Sequence, residues 1–308
     1  MKKNMGRTQK QYLHLHNLLP FLLLLILLSL SSPTQSSSLG LHSQPQSSSK
    51  KLHFVLVHGA CLGAWSWYKV TTYLQLAGHN VTALDMAGAG INPTQPKSLS
   101  SLTDYYEPLL RFMDALPSDE KVVLVGHSLG GLGISMAMEE FPEKISVAIF
   151  VTAAMPGPIS NLEEKKKILE MYGTFNKKDE ERSKVSDAKL FIFTEEQLAT
   201  KLFPLSPPED LRLATTLVRP QPMFDLIKSM EELDLTRDHY GSVKRAFIIS
   251  EDDEMALEIM VWAMLVLNKP DRVAEIKGSD HMVMASKPLD LAQQLSTIAL
   301  EFASSTSI

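Results

Sequence analysis

Three side-chain types in this chain have the chemistry for acyl transfer: a serine, a histidine and a carboxylate. The serine is Ser128, in the pentapeptide Gly126-His127-Ser128-Leu129-Gly130. The apolar run Val122 to Val125 stops at Gly126, and a helical apolar pattern resumes after Gly130, so the pentapeptide reads as a sharp turn between a buried strand and a helix. The flanking glycines let strand and helix approach closely, while Ser128 sits in a strained turn that exposes its hydroxyl. A hydroxyl is a weak nucleophile near neutral pH. It needs a base to take its proton, a carboxylate to orient that base, and donors for the oxyanion that develops.

The candidate base is His281, in Ser279-Asp280-His281 just beyond the strand-like DRVAEIKG, where a loop can bring imidazole to the serine. Asp280 is its chain neighbour and cannot easily turn back to orient it. The candidate acids are Glu251, Asp252, Asp253 and Glu254, which follow the strand-like VKRAFIIS. They fall between serine and histidine, the chain order Ser, acid, His used by hydrolases with a strand-turn-helix nucleophile, and residue type alone does not choose among them. Two backbone N–H groups are candidate oxyanion donors: Leu129, after the serine, and Ala60, in the turn His58-Gly59-Ala60 that ends the strand LHFVLVHG. His53, His58, His79 and His127 read as structural. Cys61 is the one cysteine, so no intramolecular disulfide forms, and its context for a nucleophile is poorer than that of Ser128. The sequence has no clustered metal-ligand spacing, no Gly-x-Gly-x-x-Gly after a strand and no Walker loop, so neither a metal nor a cofactor is expected.

The elements that must position these groups alternate. Strands are expected at 52–59, 81–85, before Ser128, at 146–153, 243–250 and in DRVAEIKG; helices at 64–78, 101–116, after Gly130 and in ALEIMVWAMLVL. Strand alternating with helix implies a doubly wound, mostly parallel α/β sheet with its site at the carboxyl ends of the strands. The rhythm breaks at Met155-Pro156-Gly157-Pro158 and returns at residue 243. Residues 157–240, charged and proline-punctuated, are therefore expected to be a mainly helical cap inserted over the strand ends.

Of 308 residues, 44% are hydrophobic and 21% charged, which suits one large globular α/β domain. Residues 1–50 hold five Lys/Arg and no Asp or Glu, leaving 25 basic against 35 acidic residues in 51–308. So acidic a body argues against nucleic acid or an anionic membrane as partner. Leu18 to Leu30 is apolar, follows a basic stretch and precedes small residues. It reads as a secretory signal peptide or membrane anchor, with an organellar transit peptide as the competing reading, and Ser31 to Lys50 as a Ser-rich linker.

Taken jointly, FVLVHGACLGAWSWYK, VTALDMAGAGINP, KVVLVGHSLGG, SPPEDLRLATTLVRP, GSVKRAFIISED and EIKGSDHMVM resemble the plant methylesterase family of the α/β-hydrolase superfamily, a group that also includes hydroxynitrile lyases. The resemblance runs through about residues 52–303. It implies Ser128 as nucleophile, His281 as base, Asp252 as the orienting acid, Ala60 and Leu129 as oxyanion donors, and Met223 as an apolar residue touching the acyl group. It implies a small-molecule methyl ester substrate of the hormone type (methyl jasmonate, methyl indole-3-acetate, methyl salicylate). With the acidic body and no cofactor motif, no cofactor and no membrane partner are expected for the folded domain; a homodimer is compatible with the sequence. The lyases carry threonine at the position of Gly59 and lysine at that of Met282, so their reacting groups are missing here. One departure stands out: where methylesterases have Lys-Gly-Ile-Pro after the acid, this chain has Asp253-Glu254-Met255-Ala256. The alternative from another class is a hormone-binding protein of hydrolase fold with weak or no catalysis, against which the complete serine, acid and histidine set counts.

Overall fold

The computed structural model describes residues 50–158, 190–224, 229, 233–255 and 258–305. The leader before Lys50 and the stretch 159–189 of the expected cap lie outside the described residues.

In chain order the main elements are β1 (His53–Val57), α1 (Tyr68–Leu76), β2 (Asn80–Leu84), α2 (Leu102–Ala115), β3 (Val122–His127), α3 (Gly130–Glu140) and β4 (Ile145–Val151), followed by an insert holding β5 (Leu190–Phe191), α4 (Pro208–Leu217) and β6 (Gln221–Pro222). The chain then completes β7 (Arg245–Ser250), α5 (Glu258–Leu267), β8 (Arg272–Ile276) and α6 (Pro288–Ser305). Six strands form one sheet in the order β2-β1-β3-β4-β7-β8, every pair parallel, and β5 and β6 form a separate antiparallel ribbon. This is the expected doubly wound α/β architecture.

The central strands are near-continuous apolar runs because both faces of the sheet are covered. Side chains alternate along β1: Phe54 and Leu56 join one core with Trp67, Val70, Leu74, Leu295 and Ile298, whereas Val55 and Val57 join the other with Tyr106, Leu109, Met113, Ile134 and Met138. Helices α1 and α6 thus cover one face, α2 and α3 the other. Helix α2 starts where a capping box fixes it: the Ser101 hydroxyl accepts the Asp104 N–H and the Asp104 carboxylate accepts the Ser101 N–H.

From β1 the chain runs outward to β2, then returns past β1 to β3. That reversal opens a crevice at the carboxyl ends of β1 and β3. Register places Val57 opposite Gly126, so the turn after β1 lies directly beside the turn after β3. Among the described residues, no helix is long and apolar enough to cross a membrane.

Candidate active site

Ser128 occupies the turn between β3 and α3 with φ +53°, a left-handed conformation costly for a residue with a side chain. Close approach enforces it. A Cβ on Gly126 would lie 2.8 Å from the Gly130 carbonyl oxygen, and one on Gly130 would lie 2.7 Å from those of Val57 and His58. One local and one tertiary bond hold the turn: the Ser128 carbonyl accepts the N–H groups of Gly131 (3.2 Å) and Ala154 (3.0 Å).

His281 reaches this serine from the loop after β8. Its Nε2 lies 3.0 Å from Ser128 Oγ, and its Nδ1 lies 2.9 Å from Asp253 Oδ2. Nδ1–H donating to the carboxylate leaves the Nε2 lone pair facing the serine hydroxyl, the tautomer a proton relay requires. The imidazole and carboxylate are only 7% and 6% exposed.

The acid beside His281 is Asp253, which corrects the expectation of Asp252. Pairing beyond β7 decides the parity: the Glu251 N–H donates to Ile276 O and the Asp252 N–H to Ser279 O, so the chain stays alongside the 276–279 segment through residue 252. Asp252 is exposed there, and the next residue turns inward. Asp253 Oδ1 then accepts the Met255 N–H at 2.8 Å. The other two acids are spent elsewhere, Glu251 accepting the Gly278 N–H (2.8 Å) and Glu254 facing Lys201 (3.6 Å).

Residue-type reasoning passes over Thr152. Its hydroxyl donates to Asp253 Oδ2, the oxygen that also receives His281. At φ +39° it is a β-branched residue in left-handed conformation, a rare placement, held by its N–H on Ile248 O (2.8 Å). Nothing in the linear neighbourhood of Thr152 signals this. Thr152→Val should lower kcat about tenfold, since a hydrogen bond to a charged group is worth roughly 1.5 kcal/mol or more, and Thr152→Ser should restore it; steady-state kinetics of the two variants check this.

The candidate oxyanion donors, Ala60 and Leu129, flank the serine from adjacent strand ends. His58 and His127 brace these turns as neutral rings. His58 Nδ1 donates to Gly59 O (2.8 Å) and its Nε2 accepts the Met86 N–H (3.1 Å), with burial pushing its pKa down. His127 Nε2 donates to the His281 carbonyl (2.8 Å); burial first, then the nearby His281, lowers its pKa to about 3. A histidine depressed in the fold but ordinary when unfolded contributes stability above its unfolded value of 6.5, lost as pH falls toward 3. Stability should therefore decline by up to about 1.4 kcal/mol per pH unit below 6.5 from His127 alone, a slope that His127→Gln reduces in thermal melts across pH.

Met223 follows β6 and is partly buried. Gly59 has no room for a larger residue without movement, because a Cβ would lie 2.9 Å from both His127 Nδ1 and Ser128 Cβ. Met282 is buried, its N–H donating to Leu202 O (3.1 Å). Cys61 is buried, and burial pushes its thiol up to about 12, which leaves it inert as a nucleophile. Asp280 turns away from His281 to accept the Leu205 N–H (2.9 Å) and the Ser206 hydroxyl (2.8 Å), tying the insert to the histidine loop. Among the described residues, no group of three or more His, Cys, Asp or Glu side chains is arranged to hold a metal.

Fold and site together define a hydrolase with an α/β core. The model of the alpha/beta hydrolase family matches residues 54–294. Methyl jasmonate esterase 1 of Vitis vinifera is 50% identical over 253 residues, covering 81% of this chain and 97% of that relative. Salicylic acid-binding protein 2 of Nicotiana tabacum is 41% identical, covering 81% and 98%. Among solved structures, tomato methylketone synthase I in complex with 2-tridecanone superposes with TM-score 0.73 at 43% identity, covering 82% of this chain and 99% of that one. The chain belongs to the alpha/beta hydrolase family and, within it, to the plant methylesterases, which makes it a carboxylic ester hydrolase.

Proposed function

We propose that this enzyme hydrolyses methyl esters of small hormone-like acids through Ser128, His281 and Asp253, with methyl jasmonate ahead of methyl indole-3-acetate and methyl salicylate. The observation that carries the reading is the continuous contact from Ser128 Oγ to His281 Nε2 (3.0 Å) and from His281 Nδ1 to Asp253 Oδ2 (2.9 Å). Ser128 attacks the ester carbonyl as His281 takes its proton. The buried Asp253 carboxylate stabilises the imidazolium, and the Ala60 and Leu129 N–H groups receive the oxyanion, each worth roughly 3 kcal/mol of barrier. The tetrahedral intermediate collapses as His281 gives that proton to the departing methoxide oxygen, releasing methanol, and water, activated by the same imidazole, cleaves the acyl-enzyme.

The order of substrates rests on the 50% identity to a relative named for methyl jasmonate. The binding alternative rests on the relative named for salicylic acid. Purified protein incubated with the three esters and followed by mass spectrometry separates the readings: the expected outcome is release of free acid with the highest kcat/KM for methyl jasmonate. Tight binding of a free acid without turnover of any ester would favour the binder.

A further inference from the structure

We propose that Gln221, on the inserted ribbon, is a positioning residue for the oxyanion turn, so that the insert fixes one of the two donors of the reaction proposed above. The inference rests on that reading of Ala60.

The two donors are held in different ways. The Leu129 N–H belongs to the Ser128–Leu129 peptide, whose carbonyl is fixed by Gly131 and Ala154, both part of the α/β body. The Ala60 N–H belongs to the Gly59–Ala60 peptide. Since a peptide is planar and its N–H and C=O point in opposite directions, the bond from His58 Nδ1 to Gly59 O sets one constraint on where Ala60 N–H aims. The second constraint is at the next residue. Cys61 has φ +60°, unfavourable for a side-chain-bearing residue, and all of its polar groups are taken by the insert. Its N–H donates to Gln221 Oε1 (3.0 Å), its carbonyl accepts the Arg219 N–H (3.1 Å), and its thiol donates to Phe191 O (3.6 Å).

Phe191 and Gln221 are paired across the β5–β6 ribbon, so these contacts come from one small structural unit. Gln221 is buried, and its Oε1 also receives the Tyr105 hydroxyl at 3.4 Å, which ties the amide to α2. Ala60 therefore sits between a peptide held by the sheet and a peptide held by the ribbon. Withdrawing the Gln221 acceptor leaves the Cys61 N–H buried without a partner and lets the strained turn relax, rotating the Ala60 donor. The loss would be felt in the tetrahedral state, where the oxyanion forms, rather than in ester binding.

The test uses the full chain with Gln221→Leu, and Gln221→Asn, whose shorter amide withdraws the acceptor, should the first not fold. Methyl jasmonate kinetics are paired with inhibition by a trifluoromethyl ketone that adds Ser128 and forms an oxyanion. Expected are a kcat about tenfold lower, short of the roughly 10²–10³-fold that follows loss of a whole donor, an inhibition constant raised by the same factor, and KM within about twofold. Asp210→Asn is the control for a loosened insert, because Asp210 anchors α4 to Tyr68 and Lys69 of α1. It should lower the melting temperature while leaving the ratio of inhibition constant to KM unchanged. If wild type is active and Gln221 variants keep kcat and inhibitor affinity, or lose them no more than Asp210→Asn does, the inference is wrong and the hydrolase reading stands. If wild type shows neither turnover nor a Ser128-dependent adduct, both fall.

Discussion

Ser128→Ala will hydrolyse methyl esters at least about 10⁴-fold more slowly than wild type, with KM little changed. Alanine keeps the Cβ and removes only the oxygen that lies 3.0 Å from His281 Nε2. Donors and imidazole remain in place, so ester binding survives and only covalent attack is lost. The left-handed conformation at residue 128 is imposed by bonds to its backbone carbonyl from Gly131 and Ala154, and these the substitution leaves alone. Melting should shift little, by roughly the few tenths of a kcal/mol typical of a change that opens no cavity. Equal turnover in both proteins would exclude Ser128 as nucleophile.

Asp253→Asn will be nearly as damaging, about 10⁴-fold in kcat, whereas Asp252→Asn will stay within about twofold of wild type. An amide at residue 253 can donate to His281 Nδ1, which favours the tautomer with its proton on Nε2, where the serine needs a lone pair. It also removes the negative charge that stabilises the imidazolium in a site where both side chains are more than nine-tenths buried. Asp252 is exposed, its N–H tied to Ser279 O, so its charge is screened by water and reaches the imidazole only weakly. The pair of variants separates neighbouring carboxylates that composition and motif treat alike. A large loss in Asp252→Asn with a mild one in Asp253→Asn would reverse the assignment. The Asp253 carboxylate is braced on Oδ2 by Thr152 and on Oδ1 by the Met255 N–H, so its position does not depend on His281 alone.

Local pattern accounts for much of the molecule. The apolar runs Phe54–Val57, Val122–Val125 and Val147–Val151, each short and bounded by turn residues, read as strands buried on both faces, and strands alternating with amphipathic helices admit few architectures besides a parallel sheet. The serine turn was legible because its glycines answer a steric demand that is nearly local, strand against helix within five residues. The place of His281 after the last strand was legible because chain order and the carboxyl edge of the sheet together confine it.

What the sequence by itself determined, then, is the sheet, the edge where its strand-end turns gather, and the serine and histidine that meet there. The acid was decided by tertiary structure, since whether residue 252 or 253 faces inward depends on how far β7 continues its pairing with the segment after β8, and one residue of register inverts every side chain. Thr152 and Gln221 were decided there too. Each acts through a partner about 100 or 160 positions away in the chain, Asp253 for one and Cys61 for the other, and hydrogen bonds between elements that meet only in three dimensions leave no periodicity in a linear sequence.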